Sequence, residues 1–385
     1  METENYFDLS KGMSFWNICY KNNLVEIKWS HIYFEDYKKL AVQYFECGYK
    51  LLIEIISSGH DNVKSNMWFF PGVFLLRQSI ELGLKALLCR GYSKSTYKEL
   101  TKELQECKHD LSMLFQKCCV IGETNNLSVK DKLWLQRYFD SLEKTDKKSD
   151  MFRFPFDNDF LKSYRNSILW NHKISINLVS AFLLIGRCLG LDISSALYNL
   201  QPEFMLFTNC SVANCRLEQD DLEDGYYIKI RGYAESIDFL YENKDILKET
   251  KCYPLIFMMR NTLELALKRI FYRCNSHIAS FQISSSKIYS HKIKNVLWKE
   301  TKPVILKYGN ASDDSMWVIN VVEKLINDLN EKDPRGDVFR YPTSFGLEYQ
   351  FDKQIIDLEN FYRCFEALLG FLRGCYFMLE EVEEI

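Results

Sequence analysis

No excess of either charge marks this chain: 49 Lys and Arg against 52 Asp and Glu leave a formal net charge of -3. A protein that coats nucleic acid carries a basic excess, because phosphate neutralisation supplies most nonspecific affinity. Any contact with RNA or DNA must here be local. Long apolar runs are also missing. The most apolar stretches, Phe69–Leu76 and Leu178–Ile185, lead into charge and fall short of the ~18–20 residues of a membrane helix, so no membrane association is expected. The opening residues, METENYFDLSKG, are polar and hold no apolar signal core. The 13 cysteines include no Cys-x-x-Cys pair. Cys118–Cys119 and Cys210–Cys215 are the nearest pairs, and neither has the second half of a zinc site. Unpatterned thiols without a signal sequence point to a reducing cytoplasm. There is no P-loop, no GxGxxG, no HExxH and no G-x-S-x-G. Metalloenzymes, dinucleotide oxidoreductases and α/β hydrolases are therefore set aside, and neither a cofactor nor a metal is expected.

What the chain does hold is self-similarity. FFPGVFLLRQSIELGLKALLCR (69–90) aligns with CYPLIFMMRNTLELALKRIFYR (252–273) at an offset of 183. Pro71, Phe74, Arg77, Glu81, Leu82, Leu84, Lys85 and Arg90 recur as Pro254, Phe257, Arg260, Glu264, Leu265, Leu267, Lys268 and Arg273. Further landmarks follow in order: His109 and His291, Trp134 and Trp317, then Asp146-KKS-Asp150-M-Phe152-Arg153-Phe154-Pro155 against Asp333-PRG-Asp337-V-Phe339-Arg340-Tyr341-Pro342. Small drifts in the offset are what loop insertions produce.

The expected fold class is all-α: two tandem copies of one helical bundle related by internal duplication. A chain that is 47% hydrophobic and 26% charged is globular, and 385 residues suffice for two domains. The expected boundaries are an N-terminal arm (1–30), a first helical domain (31–200), a linker (201–225) and a second helical domain (226–385). Each copy opens on an amphipathic helix, 37–58 and 232–249, and closes on an apolar one, 176–190 and 356–379. Short β pieces are expected near 160–176 and 346–356.

On a helix opened by Pro71 in its first turn, Arg77, Glu81 and Lys85 are four apart and form one stripe. Ser79, Gly83 and Ala86 form a strip where a second helix can approach, and Ile80, Leu84 and Leu87 form an apolar face. So little free surface places this helix at the centre of its bundle. Charges on a central helix need partners, and the candidates are the middle-loop histidine and the Asp and Arg of the FRFP or FRYP loop. Two readings follow. One is a structural ion network; the other is an anion pocket built from Arg77, Lys85, His109 and Arg153 in copy one, and from Arg260, Lys268, His291 and Arg340 in copy two, beside Glu81 and Glu264.

One constellation occurs in copy one alone. SYRNSILWNHKIS carries Arg165-Asn166 and then His172, seven residues after the arginine. On a helix Arg165 and His172 would share a face; the corresponding YQFDKQII of copy two has neither residue, and leaves loop or strand open for this segment. Such a pair can cleave RNA without metal, the imidazole moving the 2′-OH proton and the guanidinium stabilising the phosphorane.

The R-x3-E-x3-K helix, the His-Asp-Leu loop and the closing helix together resemble the HEPN superfamily of helical domains, over about residues 37–200 and 230–385. The resemblance implies a defence-type or toxin-type effector, with Arg165, Asn166 and His172 as its metal-independent ribonuclease site. It further implies RNA as substrate, and a homodimer or a defence-complex subunit as partner, since such sites form where two motifs face each other. Copy two departs from that pattern. Non-catalytic members serve binding and assembly, so an interaction subunit or a nucleotide- or anion-sensing module stands as the alternative.

Overall fold

The computed structural model describes residues 9–59, 61–146, 148–155, 169–171, 173–192, 214–216, 222–277, 285–309 and 316–382. These residues are mostly helical, with four short strands. Seven helices precede residue 190: α1 (Tyr33–Ser57), α2 (Asn62–Met67), α3 (Phe69–Gly91), α4 (Tyr97–Cys107), α5 (Leu111–Val120), α6 (Val129–Asp146) and α7 (Lys173–Cys188). Five follow residue 221: α8 (Leu222–Glu242), α9 (Lys248–His277), α10 (Lys299–Tyr308), α11 (Met316–Lys332) and α12 (Leu358–Glu381).

The centrality expected of the R-x3-E-x3-K helix is complete in α3, where every residue from Phe69 to Cys89 is buried. Such a helix cannot be amphipathic in the usual way; it is surrounded. The amphipathic α1 packs along it, burying Leu40, Tyr44, Cys47, Leu51 and Ile55 at three- and four-residue spacing. The small-residue strip is used as expected: a Cβ at Gly83 would lie 3.1 Å from Ile185 Cγ2 of α7. Pro71 falls in the first turn of α3. Its counterpart Pro254 lies inside α9, because α9 begins earlier, at Lys248. α9 is the second centre, with α8 and α12 against it, while α1 also meets α9 and α8 meets α3.

Two boundaries differ from the sequence expectation. The helix expected over 232–249 runs from Leu222 to Glu242, so residues placed in the linker are helical. It stops at 242 because Lys251 Nζ reaches back and donates to the carbonyls of Leu240, Tyr241 and Asn243 at 3.0, 2.6 and 2.7 Å. That satisfies helix-end carbonyls which would otherwise lack donors. The N-terminal segment, expected as an arm, is docked on residues from the other end of the chain. Strand β1 (Leu24–Ile27) pairs antiparallel with β4 (Gln354–Asp357), Leu24 opposite Asp357. Asp357 caps α12 by accepting from the Asn360 amide and also takes the Cys19 amide at 2.7 Å. Phe15 packs on Phe361 with ring centroids 4.6 Å apart. A second short pair, β2 (Leu169–Asn171) with β3 (Asn214–Arg216), completes the strands.

Gly83 offers a test of this packing. Helical Gly→Ala gains up to about 1 kcal/mol in propensity, and the 3.1 Å approach to Ile185 opposes it. Gly83→Ala should change stability little. Gly83→Val, with no room for its methyls, should lose about 1–3 kcal/mol, read as a lower Tm in thermal denaturation.

Candidate functional site

The stripe on α3 converges on one carboxylate. Glu81 is fully buried, and Arg77 Nη1 donates to its Oε2 at 3.1 Å. Its Oε1 accepts from Lys85 Nζ at 2.7 Å and from the Tyr341 hydroxyl at 2.6 Å. The His109 ring completes the set, with Nδ1 3.0 Å from Oε1. A carboxylate offers about four acceptor positions, so Glu81 is saturated. Arg77 is equally occupied. Its Nη2 donates to the carbonyls of His109 and Asp146 at 2.9 and 3.0 Å, and its Nε lies 3.0 Å from Asp146 Oδ2.

Asp146 in turn organises the loop behind it. Its Oδ1 accepts from the amides of Asp150 and Met151 at 2.8 and 3.0 Å. Ser149 takes the left-handed backbone there, φ 61°.

α9 repeats the central bonds, with the Arg260 Nε to Asp333 Oδ2 distance longer at 4.0 Å. Arg260, Lys268 and His291 meet Glu264 at 2.7, 2.7 and 2.8 Å. Arg260 Nη2 donates to the His291 carbonyl at 2.7 Å. Asp333 Oδ1 accepts from the amides of Asp337 and Val338 at 2.9 and 3.2 Å. The left-handed position is glycine here, Gly336 at φ 75°, at no steric cost.

The structure does differ from the sequence expectation in how the networks are assembled. The sequence expectation places Arg153 and Arg340 in the pockets of their own copies. Arg153 bonds instead within its own loop, donating to the Ser149 carbonyl at 2.9 Å and to Asp150, while Arg340 and the aromatics of both loops cross. Arg340 Nη2 donates to Gln78 Oε1 on α3 at 2.9 Å, and Gln78 returns a bond to the Arg340 carbonyl at 3.2 Å. Tyr341 caps Glu81, and Lys85 Nζ lies 4.3 Å from its ring centroid. In the other direction Lys268 Nζ lies 4.1 Å from the centroid of Phe154, whose ring also contacts His291. Backbone ties repeat the exchange: Tyr44 on α1 donates to the Phe339 carbonyl at 2.9 Å, and Tyr233 on α8 to the Phe152 carbonyl at 3.3 Å. Phe74 and Phe257 stack between the halves at 4.8 Å. Sequence reasoning quoted the FR-aromatic-Pro motif but left Tyr341 and Phe154 out of the site; an aromatic kept beside an invariant-spaced Arg-Pro pair was the available signal.

Electrostatics agree with occupied, scaffold-like charges. Burial opposes ionisation of Glu81, but the Lys85 ammonium, then His109 and Arg340, hold its carboxyl well below the usual range. Burial lowers Lys85 despite Glu81. Burial also pushes His109 down to about 4 against the pull of Glu81. The ring is therefore neutral at pH 7, and because a carboxylate only accepts, the proton sits on Nδ1. Among the described residues no group of three His, Cys, Asp or Glu could hold a metal ion, and no helix is long and apolar enough to cross a membrane. Arg165, Asn166 and His172 lie outside the described residues.

No family model matches the chain, and no curated protein or solved structure is similar enough to count as a match.

Around the central carboxylate the two networks differ by one hydroxyl donor, Tyr341 against Phe154, which gives a reciprocal test. Tyr341→Phe should cost about 1–3 kcal/mol, because a charged acceptor loses a buried donor. Phe154→Tyr should cost little or gain about 1 kcal/mol, since Glu264 receives one side-chain donor fewer than Glu81. Denaturant midpoints at constant m-value read both.

A pH test isolates His109. Its folded pKa is about 4 and its ordinary value 6.5, so the unfolded chain takes the proton first as pH falls. The stability held in the neutral ring is whole above pH 6.5 and is lost progressively down to about pH 4. Glu143, raised to about 7 by burial against the pull of Arg77, runs the opposite way. The readout is therefore the stability difference between the parent and His109→Gln. It should be flat above pH 6.5 and shrink by roughly 1–3 kcal/mol between pH 6.5 and 4. A difference that stays constant over that window would remove the neutral-histidine assignment.

Proposed function

We propose that this chain is a non-catalytic, HEPN-like binding module made by internal duplication, whose two halves are locked into one body and present a surface to a partner in a defence-type complex. The observation that carries this reading is the saturation of the repeated polar stripe. Every charged group on it already has an opposite charge or a carbonyl within bonding distance. A group committed to four buried partners cannot also turn toward a substrate without stranding the rest. Crossed loops add to this, because they tie the expected domains 31–200 and 226–385 to each other more tightly than independent enzymes require. The near-neutral charge agrees with a protein-directed surface.

The ribonuclease reading rests on Arg165, Asn166 and His172 of the first copy. The experiment that separates the two is direct: purified chain incubated with tRNA and mRNA, beside Arg165→Ala and His172→Ala. The binding-module reading expects no RNA turnover by the parent and no growth arrest on expression. Turnover or toxicity in the parent that both substitutions abolish, with folding retained, would replace it by a metal-independent nuclease.

A further inference from the structure

Outside both networks, α8, α9 and α12 enclose a cleft of about 280 Å3. Its chemistry is unlike that of the networks. Two carboxylates line it, and both are already engaged on its walls. Glu235 takes Arg231 at 2.7 Å on one oxygen and the Trp68 indole N–H at 3.0 Å on the other. Asp238 accepts from the Tyr362 hydroxyl at 2.9 Å.

Two further arginines line the same cleft, Arg269 and Arg373, and Arg373 lies in the field of the Asp238 and Glu366 carboxyls. Neither makes an ion pair within 4 Å or a hydrogen bond to a described residue, and Arg269 Nε is buried without an acceptor. The Arg269 guanidinium lies flat against an aromatic wall, 3.5 Å from the Tyr376 ring centroid and 5.6 Å from that of Tyr227. A guanidinium stacked this way keeps its in-plane N–H edge for an acceptor. Large apolar rings stand open beside it: Phe377 is 59% exposed and Tyr227 42% exposed. Ala266 leaves the floor low. In the first half the like position between α3 and α7 is closed, with Gly83 against Ile185 and Leu189.

We propose that this cleft binds a small aromatic anion, a planar ring carrying one phosphate or carboxylate group. The anion would sit on the N–H edges of Arg269, whose buried Nε has no acceptor, and of Arg373, which makes no ion pair within 4 Å to a described residue. The ring would sit against Phe377 and Tyr227, whose exposed faces otherwise cost apolar hydration. The volume admits a single ring system with its anionic group. Nucleoside monophosphates and aryl carboxylates share the required chemistry. This goes beyond the binding-module reading and does not depend on it.

The test uses the full chain in calorimetric titrations and thermal-shift assays. The probes are adenosine 5′-monophosphate, benzoate, adenosine and inorganic phosphate at matched concentration. Binding by the monophosphate, by benzoate or by both, with none by adenosine or inorganic phosphate, is the expected result, and which of the two binds identifies the anionic group. Arg269→Gln and Arg373→Gln should each weaken binding at least tenfold, and Phe377→Ala several-fold. Arg373 and Phe377 are exposed, so their variants keep the parent fold even if Arg269→Gln disturbs the Tyr376 stack. No binding by any probe, equal binding of inorganic phosphate, or unchanged affinity in Arg373→Gln would overturn the proposal.

Discussion

Glu81 sits in the core, wholly out of water, between a guanidinium and an ammonium one helical turn away on either side. Three charges on adjacent turns of a surrounded helix are an expensive arrangement, since an uncompensated buried charge costs several kcal/mol. Much of the chain is arranged to meet that demand. The His109 loop supplies a ring nitrogen and a backbone carbonyl, and the end of α6 supplies Asp146 and its carbonyl. Loops are usually the easily varied part of a fold. Here two loops and a helix end are fixed by the electrostatics of a helix they do not adjoin in sequence.

Crossing the loops raises the stakes. If Tyr341 came from the same half as Glu81, each half could in principle stand alone. Because it comes from the other half, separating them would leave Glu81 short of a donor, Arg340 without Gln78, and the Phe74–Phe257 stack in water. Polar bonds set the register of this junction, and the aromatic stack supplies the apolar burial. Neither is enough by itself: hydrogen bonds between buried groups contribute about 1 kcal/mol each, so the junction needs several, in both directions.

The two networks are not equal, and the differences are local chemistry. Asp110 follows His109 and caps α5 by accepting from the Met113 amide at 2.9 Å. Lys292 follows His291 and cannot accept, and the chain there opens with a π-helical turn, Ile293–Trp298, before α10. How much of this was legible follows from range. The Arg77–Glu81–Lys85 contact could be read from sequence because four-residue spacing fixes it within one helix. The burial of α3 and the approach at Gly83 followed from composition around the helix. The destination of the FR-aromatic-Pro loops could not be read, because chain order suggests closure onto the near helix, and packing of α1 on α9 and α8 on α3 decides otherwise. The end of α8 was misplaced for a similar reason: apolar spacing continues through Ile246 and Leu247, while the stop signal is Lys251, a cap acting backward across a turn.

Arginine appears in two settings, and the contrast locates where binding chemistry remains. Arg77 and Arg260 are buried, with Nη groups that donate to a carboxylate and to carbonyls; their charge is spent on the fold. Arg269 is held by stacking instead, which fixes the plane of the guanidinium while leaving its N–H groups unfilled. A scaffold arginine and a recognition arginine thus differ in what their Nη groups face: carboxylates and carbonyls for Arg77 and Arg260, an aromatic wall for Arg269. By that criterion the repeated stripe, though it is the part of the sequence that first suggests a site, is committed to the fold. The cleft beside α12 has three arginines, one of them paired with Glu235, and three aromatic rings in the same small volume.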